Sequence, residues 1–156
     1  MDRNELIHRT IQLAIENVKS GGGGPFAALV VRDGEIVATG VNQVTQTLDP
    51  TAHAEVVAIR AACLALRHFE LTGCEIFCSC EPCPMCLGAI YWSRPAHVFF
   101  AATANAAADA GFDDSFIKDQ IGLPFSQQQL PIERLDHAGA LAPFEAWKAK
   151  ADKVVY

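Results

Sequence analysis

Two hydrophobic periods alternate along the chain. Between residues 4 and 19, Ile7, Ile11, Ala14, Ile15 and Val18 recur at helical spacing, and the run stops at "KSGGGG". This predicts an amphipathic helix ended by glycine. "PFAALVVRDGEIVATG" then carries two β-rich runs around Asp33-Gly34, a pair that favours the left-handed backbone of a tight hairpin. Residues 52–66 are apolar on nearly every side, which predicts a buried helix. "CEIFCSC" reads as a strand, "PMCLGAIYW" as a short helix and "HVFFAAT" as another buried strand.

Past Ala102 the periodicity thins. It still predicts a helix around Asp114 to Gln120, a strand near Ile132 to Leu135 and a last helix from Pro143 to Lys150. Strands alternating with helices favour a mixed α/β sheet with helices on both sides, antiparallel at the hairpin and parallel in the second half. No linker interrupts the 156 residues, so one domain spanning 1–156 is expected.

Composition narrows the setting. No run of eighteen apolar residues exists and the N-terminus is polar, so neither a membrane span nor a secretory signal is expected. The expected compartment is the cytoplasm. A net charge of −6 with scattered Lys and Arg argues against nucleic acid as a partner.

That compartment changes the meaning of "CSCEPCPMC", residues 78–86, where four of the six cysteines gather. In a reducing environment clustered thiols point to a metal or to catalysis before disulfides. Cys83 and Cys86 stand three apart, and prolines at 82 and 84 suit a helix start, whose dipole favours thiolate. Thirty residues earlier, "HAE" offers His53 as an imidazole and Glu55 as a carboxylate. Two thiolates and one imidazole form a Zn2+-type donor set with one tetrahedral position left open, which suits activation of a water molecule. Glu55 would be the acid–base group.

Blander readings exist for each feature. Cys78 or Cys80, on one face of a strand, could close the site as a structural fourth ligand. Cys63 and Cys74 suit packing, and His8, His68, His97 and His137 lack ligand-like neighbours. Gly21 to Gly24 lack the G-K-[ST] of a phosphate loop and read as a flexible turn.

The pairing of "HAE" with "EPCPMC" resembles the cytidine deaminase superfamily, whose zinc nucleobase deaminases carry this signature. More narrowly, "GGGGPFAALVV", "TAHAEVVAIR", "CEPCPMCLGAIYW", "AGFDDSFI" and the ending "PFEAW" with a final Tyr resemble bacterial guanine deaminases. The resemblance implies a three-layer α/β/α sandwich around a five-stranded mixed sheet. It also implies a homodimer in which a C-terminal segment, about 130–156, crosses to the partner. The ligands would be His53, Cys83 and Cys86.

Asn42 would hydrogen-bond the base, Phe26 and Trp92 would flank it, Asp114 would read the purine edge, and Tyr156 would lie over the pocket. The respective alternatives are turn chemistry for Asn42, core packing for Phe26 and Trp92, a helix cap for Asp114 and a frayed end for Tyr156. Glu81, beside the ligand turn, and Glu145, in the covering tail, are expected to assist proton delivery or hold the leaving amine. The implied reaction is hydrolytic deamination of the small purine guanine. The rivals are tRNA adenosine, cytosine or cytidine, and triazine or pterin amines, together with a non-catalytic zinc-binding module.

Overall fold

The computed structural model describes residues 1–156. Helix α1 (Arg3–Lys19) opens on a reciprocal cap: Asp2 accepts from the Glu5 amide, and the Glu5 carboxylate accepts from the Asp2 amide. Its buried face is Leu6, Thr10, Ala14 and Asn17, one step around from the isoleucine stripe. Ile15 and Val18 are exposed instead. Thr10 bonds the Leu6 carbonyl at 2.8 Å and Asn17 bonds two loop carbonyls. Polar residues whose hydrogen bonds are met can occupy a buried face, and a hydropathy pattern does not register that.

Strands β1 (Ala27–Arg32), β2 (Glu35–Val41), β3 (Cys74–Cys80) and β4 (His97–Ala102) form one sheet in the order β2-β1-β3-β4. The pair β1/β2 is antiparallel, as the hairpin requires, and β3/β4 is parallel. Asp33 and Gly34 both take positive φ, 52° and 77°, and Arg32 pairs with Glu35 across them, the geometry of a type I′ turn. The sheet has four strands, not the expected five: residues 132–135 form no strand and are exposed. A strand requires a paired neighbour, and β4 forms the edge of the sheet. For the same reason β4 is not the buried strand its sequence suggested; Phe100 and its neighbours are half-buried or exposed.

Central strands β1 and β3 are buried on both faces. Ala28, Val30, Ile76 and Cys78 face helix α3 (Ala54–Leu66) in one core, while Leu29, Val31 and Phe77 face α1 in the other. Apolar nearly all round, α3 buries only one face, through Ala54, Glu55, Ala58 and Ala62; Leu64 is 80% exposed. Those small residues let the helix sit directly on β2. At Gly40 a Cβ would lie 2.5 Å from the Ala58 amide nitrogen and closer still to the Ala54 carbonyl oxygen.

The remaining elements are short: α2 (Val44–Thr47), α4 (Pro84–Ser93), α5 (Ala104–Asp109), α6 (Ser115–Ile121), a 3₁₀ turn (Phe125–Gln127) and α7 (Ala142–Ala149). Helices α2, α3 and α4 each end on a left-handed residue that is not glycine: Leu48, Arg67 and Arg94. The chain divides into two compact units, residues 1–116 and 117–156. Within the second, no residue is buried, and Leu130, Leu135, Phe144 and Val155 are largely exposed. No helix is long and apolar enough to cross a membrane.

Candidate metal centre

Two helix starts build the centre. His53 occupies the N-cap of α3 with extended backbone, and its carbonyl accepts the Val57 amide at 2.9 Å. Glu55 follows in the first turn and is only 8% exposed. Cys83 is the N-cap of α4, Pro84 opens the helix, and the Cys86 amide donates to Cys83 Sγ at 3.5 Å. Cys83 therefore stands just outside the helix and Cys86 just inside it, a refinement of two sulfurs on one helical turn.

His53 Nδ1 lies 3.5 Å from Cys83 Sγ and 3.6 Å from Cys86 Sγ, and all three donor atoms fall within 4.8 Å of one another. Zinc bonds of about 2.3 Å to sulfur and about 2.0 Å to nitrogen at tetrahedral angles require an N···S separation of roughly 3.5 Å. The donor set thus fits zinc in both chemistry and spacing. Cys78 and Cys80 do not join it. Cys78 faces the α3 core, and the Cys80 thiol is 3.5 Å from the Thr103 carbonyl that accepts from it. All six cysteines are free thiols, so no disulfide forms.

The electrostatics suit a cation. Cys83 is held down to about 4, first by its hydrogen bond with the Cys86 thiol and then by His53. Cys86 is pushed up, chiefly by the Cys83 sulfur and by burial. The two sulfurs titrate as a pair sharing a proton that a metal ion would replace. His53 is raised, mainly through its bond to Cys83. Burial raises Glu55, whose Oε2 lies 3.4 Å from Cys86 Sγ. A buried carboxyl with an elevated pKa, next to the donor set yet outside it, is suited to taking up and returning a proton.

Asn42 follows β2 and is buried. Its Oδ1 lies 3.4 Å from the Gly24 amide and 3.3 Å from the Val44 amide, which fixes which side of the amide is oxygen and which is Nδ2. Phe26 meets Phe112 edge-on at 4.9 Å between ring centroids. Asp113 accepts the Ser115 amide at 2.9 Å and so takes the helix-start role, while the charge of half-buried Asp114 is felt by the Cys80 thiol at the end of β3. Trp92 is 67% exposed on α4. Glu81 Oε2 accepts the Ala104 amide at 3.0 Å at the start of α5. Glu145 pairs with Lys148 at 2.9 Å on α7, and Tyr156 ends the chain; both belong to the second unit.

Two residues escaped the sequence reading. Phe112 sits inside the quoted "AGFDDSFI" block, where the acids drew the attention. Asn17 was hidden as a polar break in an apolar stripe, and its burial is a property of the structure that the sequence does not signal.

Residues 1–102 match the cytidine and deoxycytidylate deaminase zinc-binding region. The chain is 50% identical over 156 residues to the guanine deaminase of Bacillus subtilis, covering 100% of each. The X-ray structure of a Bacillus subtilis guanine deaminase superposes with a TM-score of 0.99, covering 100% of this chain and 99% of that one. A tRNA-specific adenosine deaminase of Aquifex aeolicus is 44% identical over 81 residues, 52% of this chain and 54% of that protein. A donor set spaced for zinc, a buried carboxyl beside it and these likenesses agree: the chain belongs to the zinc-dependent cytidine and deoxycytidylate deaminase family.

Proposed function

We propose that this protein hydrolyses guanine to xanthine and ammonia. The observation that carries the substrate is full-length identity, 50% over the whole chain, to a guanine deaminase, whereas the tRNA deaminase likeness covers 52% of the chain. The observation that supports the chemistry is the buried Glu55 carboxylate 3.4 Å from a sulfur of the three-donor set.

Zinc held by His53, Cys83 and Cys86 would supply Lewis acidity, bringing a water molecule's pKa down to about 7. Glu55 then handles the protons. It accepts one from the attacking water and passes it to N3 of the purine as the C2–O bond forms, then takes the remaining proton from the new C2 hydroxyl and delivers it to the exocyclic amine. The C2–N bond breaks and ammonia leaves.

Asn42 donates Nδ2 to an acceptor on the base, Phe26 and Trp92 flank the ring, and Asp114 accepts from the N–H edge of guanine. Glu81 and Glu145 assist proton delivery or hold the amine, and a glutamine at either position with parent turnover removes that residue from the scheme.

The protein works as a homodimer whose segment 130–156 crosses to its partner, bringing Tyr156 over that subunit's pocket. Exposed Leu130, Leu135, Phe144 and Val155, with no core of their own, support this. Truncation after residue 150 that leaves kcat and KM unchanged dismisses the covering role.

The deciding experiment offers zinc-quantified protein guanine, guanosine, adenine, cytosine, cytidine and a tRNA anticodon loop, and measures ammonia. Turnover of guanine alone is expected. Turnover of the tRNA loop in its place moves the chain to RNA editing, and zinc binding without any ammonia release leaves a metal-binding module.

A further inference from the structure

The buried face of α1 ends on an amide that packing does not explain. Asn17 is 6% exposed, beyond Leu6 and Ala14 on the same face. Its Nδ2 donates to the Gly24 carbonyl at 2.9 Å and to the Asn42 carbonyl at 3.0 Å. Both neighbours can only accept, so the amide nitrogen is forced toward them. The backbone joins in: the Gly22 amide donates to the Asn17 carbonyl at 2.8 Å, the Phe26 amide to the Gly24 carbonyl at 2.8 Å, and the Asn42 amide to the Phe26 carbonyl at 3.0 Å.

The glycine run is shaped around this amide. A Cβ on Gly22 would collide with Asn17 Oδ1, and one on Gly23, where φ is +151°, with the Asn42 carbonyl oxygen. The "flexible turn" of the sequence is a fitted clasp that joins α1, the glycine loop and the end of β2. Every polar backbone group of Asn42 is thereby engaged, and its Oδ1 is met by two amides.

We propose that Asn17 is a positioning residue for base recognition: by holding the Asn42 backbone and the Gly22–Gly24 loop together, it aims the Asn42 Nδ2 donor at the purine. This rests on the reading of Asn42 as a base contact given above. Without Asn17 the Asn42 carbonyl loses its donor, the Gly24 carbonyl keeps only the Phe26 amide, and residue 42 can rotate, so the donor is no longer preset for the base. The metal ligands lie on other elements, and the chemical step is left intact.

The test is a double-mutant cycle on the zinc-loaded enzyme with guanine. Asn17→Ala is expected to raise KM by about 10-fold, the worth of one base hydrogen bond, with kcat and zinc content near parent. Gly22→Ala, which displaces the Asn17 amide from outside, gives the same split and stands in if Asn17→Ala does not fold. In an Asn42→Ala background neither substitution raises KM further, because the contact they preset is already gone.

A parent-like KM in both single variants overturns the proposal. So does a full additional rise in the Asn42→Ala background, or a joint loss of zinc and kcat, which marks general loosening. If Asn42→Ala itself leaves KM unchanged, the base-contact reading falls and this inference falls with it. A parent inert toward guanine overturns the proposed function as well, whereas an active parent with parent-like Asn17 and Gly22 variants overturns this inference alone.

Discussion

Replacing Gly40 by alanine tests how closely the catalytic helix is seated. The new methyl would stand 2.5 Å from the Ala58 nitrogen and 3.0 Å from its Cα, whereas ordinary contact begins at 3.4 Å. Both sides of this contact are backbone, β2 on one and α3 on the other, so no flexible side chain can yield. The separation must grow by roughly 1 Å, the scale of displacement that overpacking enforces at a cost of about 1–3 kcal/mol. In a chain of this size that lowers Tm by roughly 5 °C. The helix start is what moves, and it carries His53 and Glu55 on either side of Ala54. A misplacement of ~1 Å at reacting groups can cost about 10²-fold in rate. The expected result is kcat/KM for guanine lower by about 10²-fold with a Tm only several degrees lower, measured by ammonia release and calorimetry on zinc-loaded protein. Parent-like rate and Tm together would refute the reasoning, since the methyl would then have found room without moving the helix.

Three further outcomes follow from other parts of the structure. Glu55→Gln keeps the three metal donors, so zinc content stays at parent level while kcat falls by about 10²- to 10⁴-fold, and an active zinc-replete variant contradicts the proton-transfer role. Arg67 ends α3 at φ 52°, a conformation that costs a side-chain-bearing residue about 1 kcal/mol, so Arg67→Gly raises the unfolding free energy by about that amount in urea titration; a decrease shows that the arginine makes a compensating contact. Asp49 accepts from the hydroxyl and amide of Thr51, which hold its carboxyl below the usual range. Its contribution is present above the ordinary carboxyl pKa and is lost as pH falls through the lowered one. The Tm gap between parent and Asp49→Ala therefore closes below about pH 4, and a gap that persists to pH 2 argues against this origin.

Where a local signal had a local cause, the sequence was legible. Asp33-Gly34 demanded positive φ and made the turn; Pro84 and the Cys83/Cys86 spacing made a helix start; His53 and Glu55 opened α3. Burial was less legible, because it depends on what lies across the chain. An apolar β4 became an edge strand with exposed phenylalanines, since only β3 pairs with it. The fifth strand near Ile132 is absent for a related reason: β-propensity without a partner strand makes no ladder. The true inner face of α1 was misjudged by one step because Thr10 and Asn17 satisfy their own polarity, something visible only once their partners are known. Phe112 and Asn17 support groups that the sequence did name, and supporting residues carry no motif of their own.

The sulfur of Cys83 has two employments: it is a metal donor and it caps α4 by receiving the Cys86 amide. That cap is a hydrogen bond within the chain, and the sheet beneath is filled by side chains that owe nothing to metal. Small zinc modules fold only around their ion. Here, by contrast, the sheet and its helices have a hydrophobic core of their own, so a chelator should strip the ion from an intact scaffold and later reloading should require no renaturation.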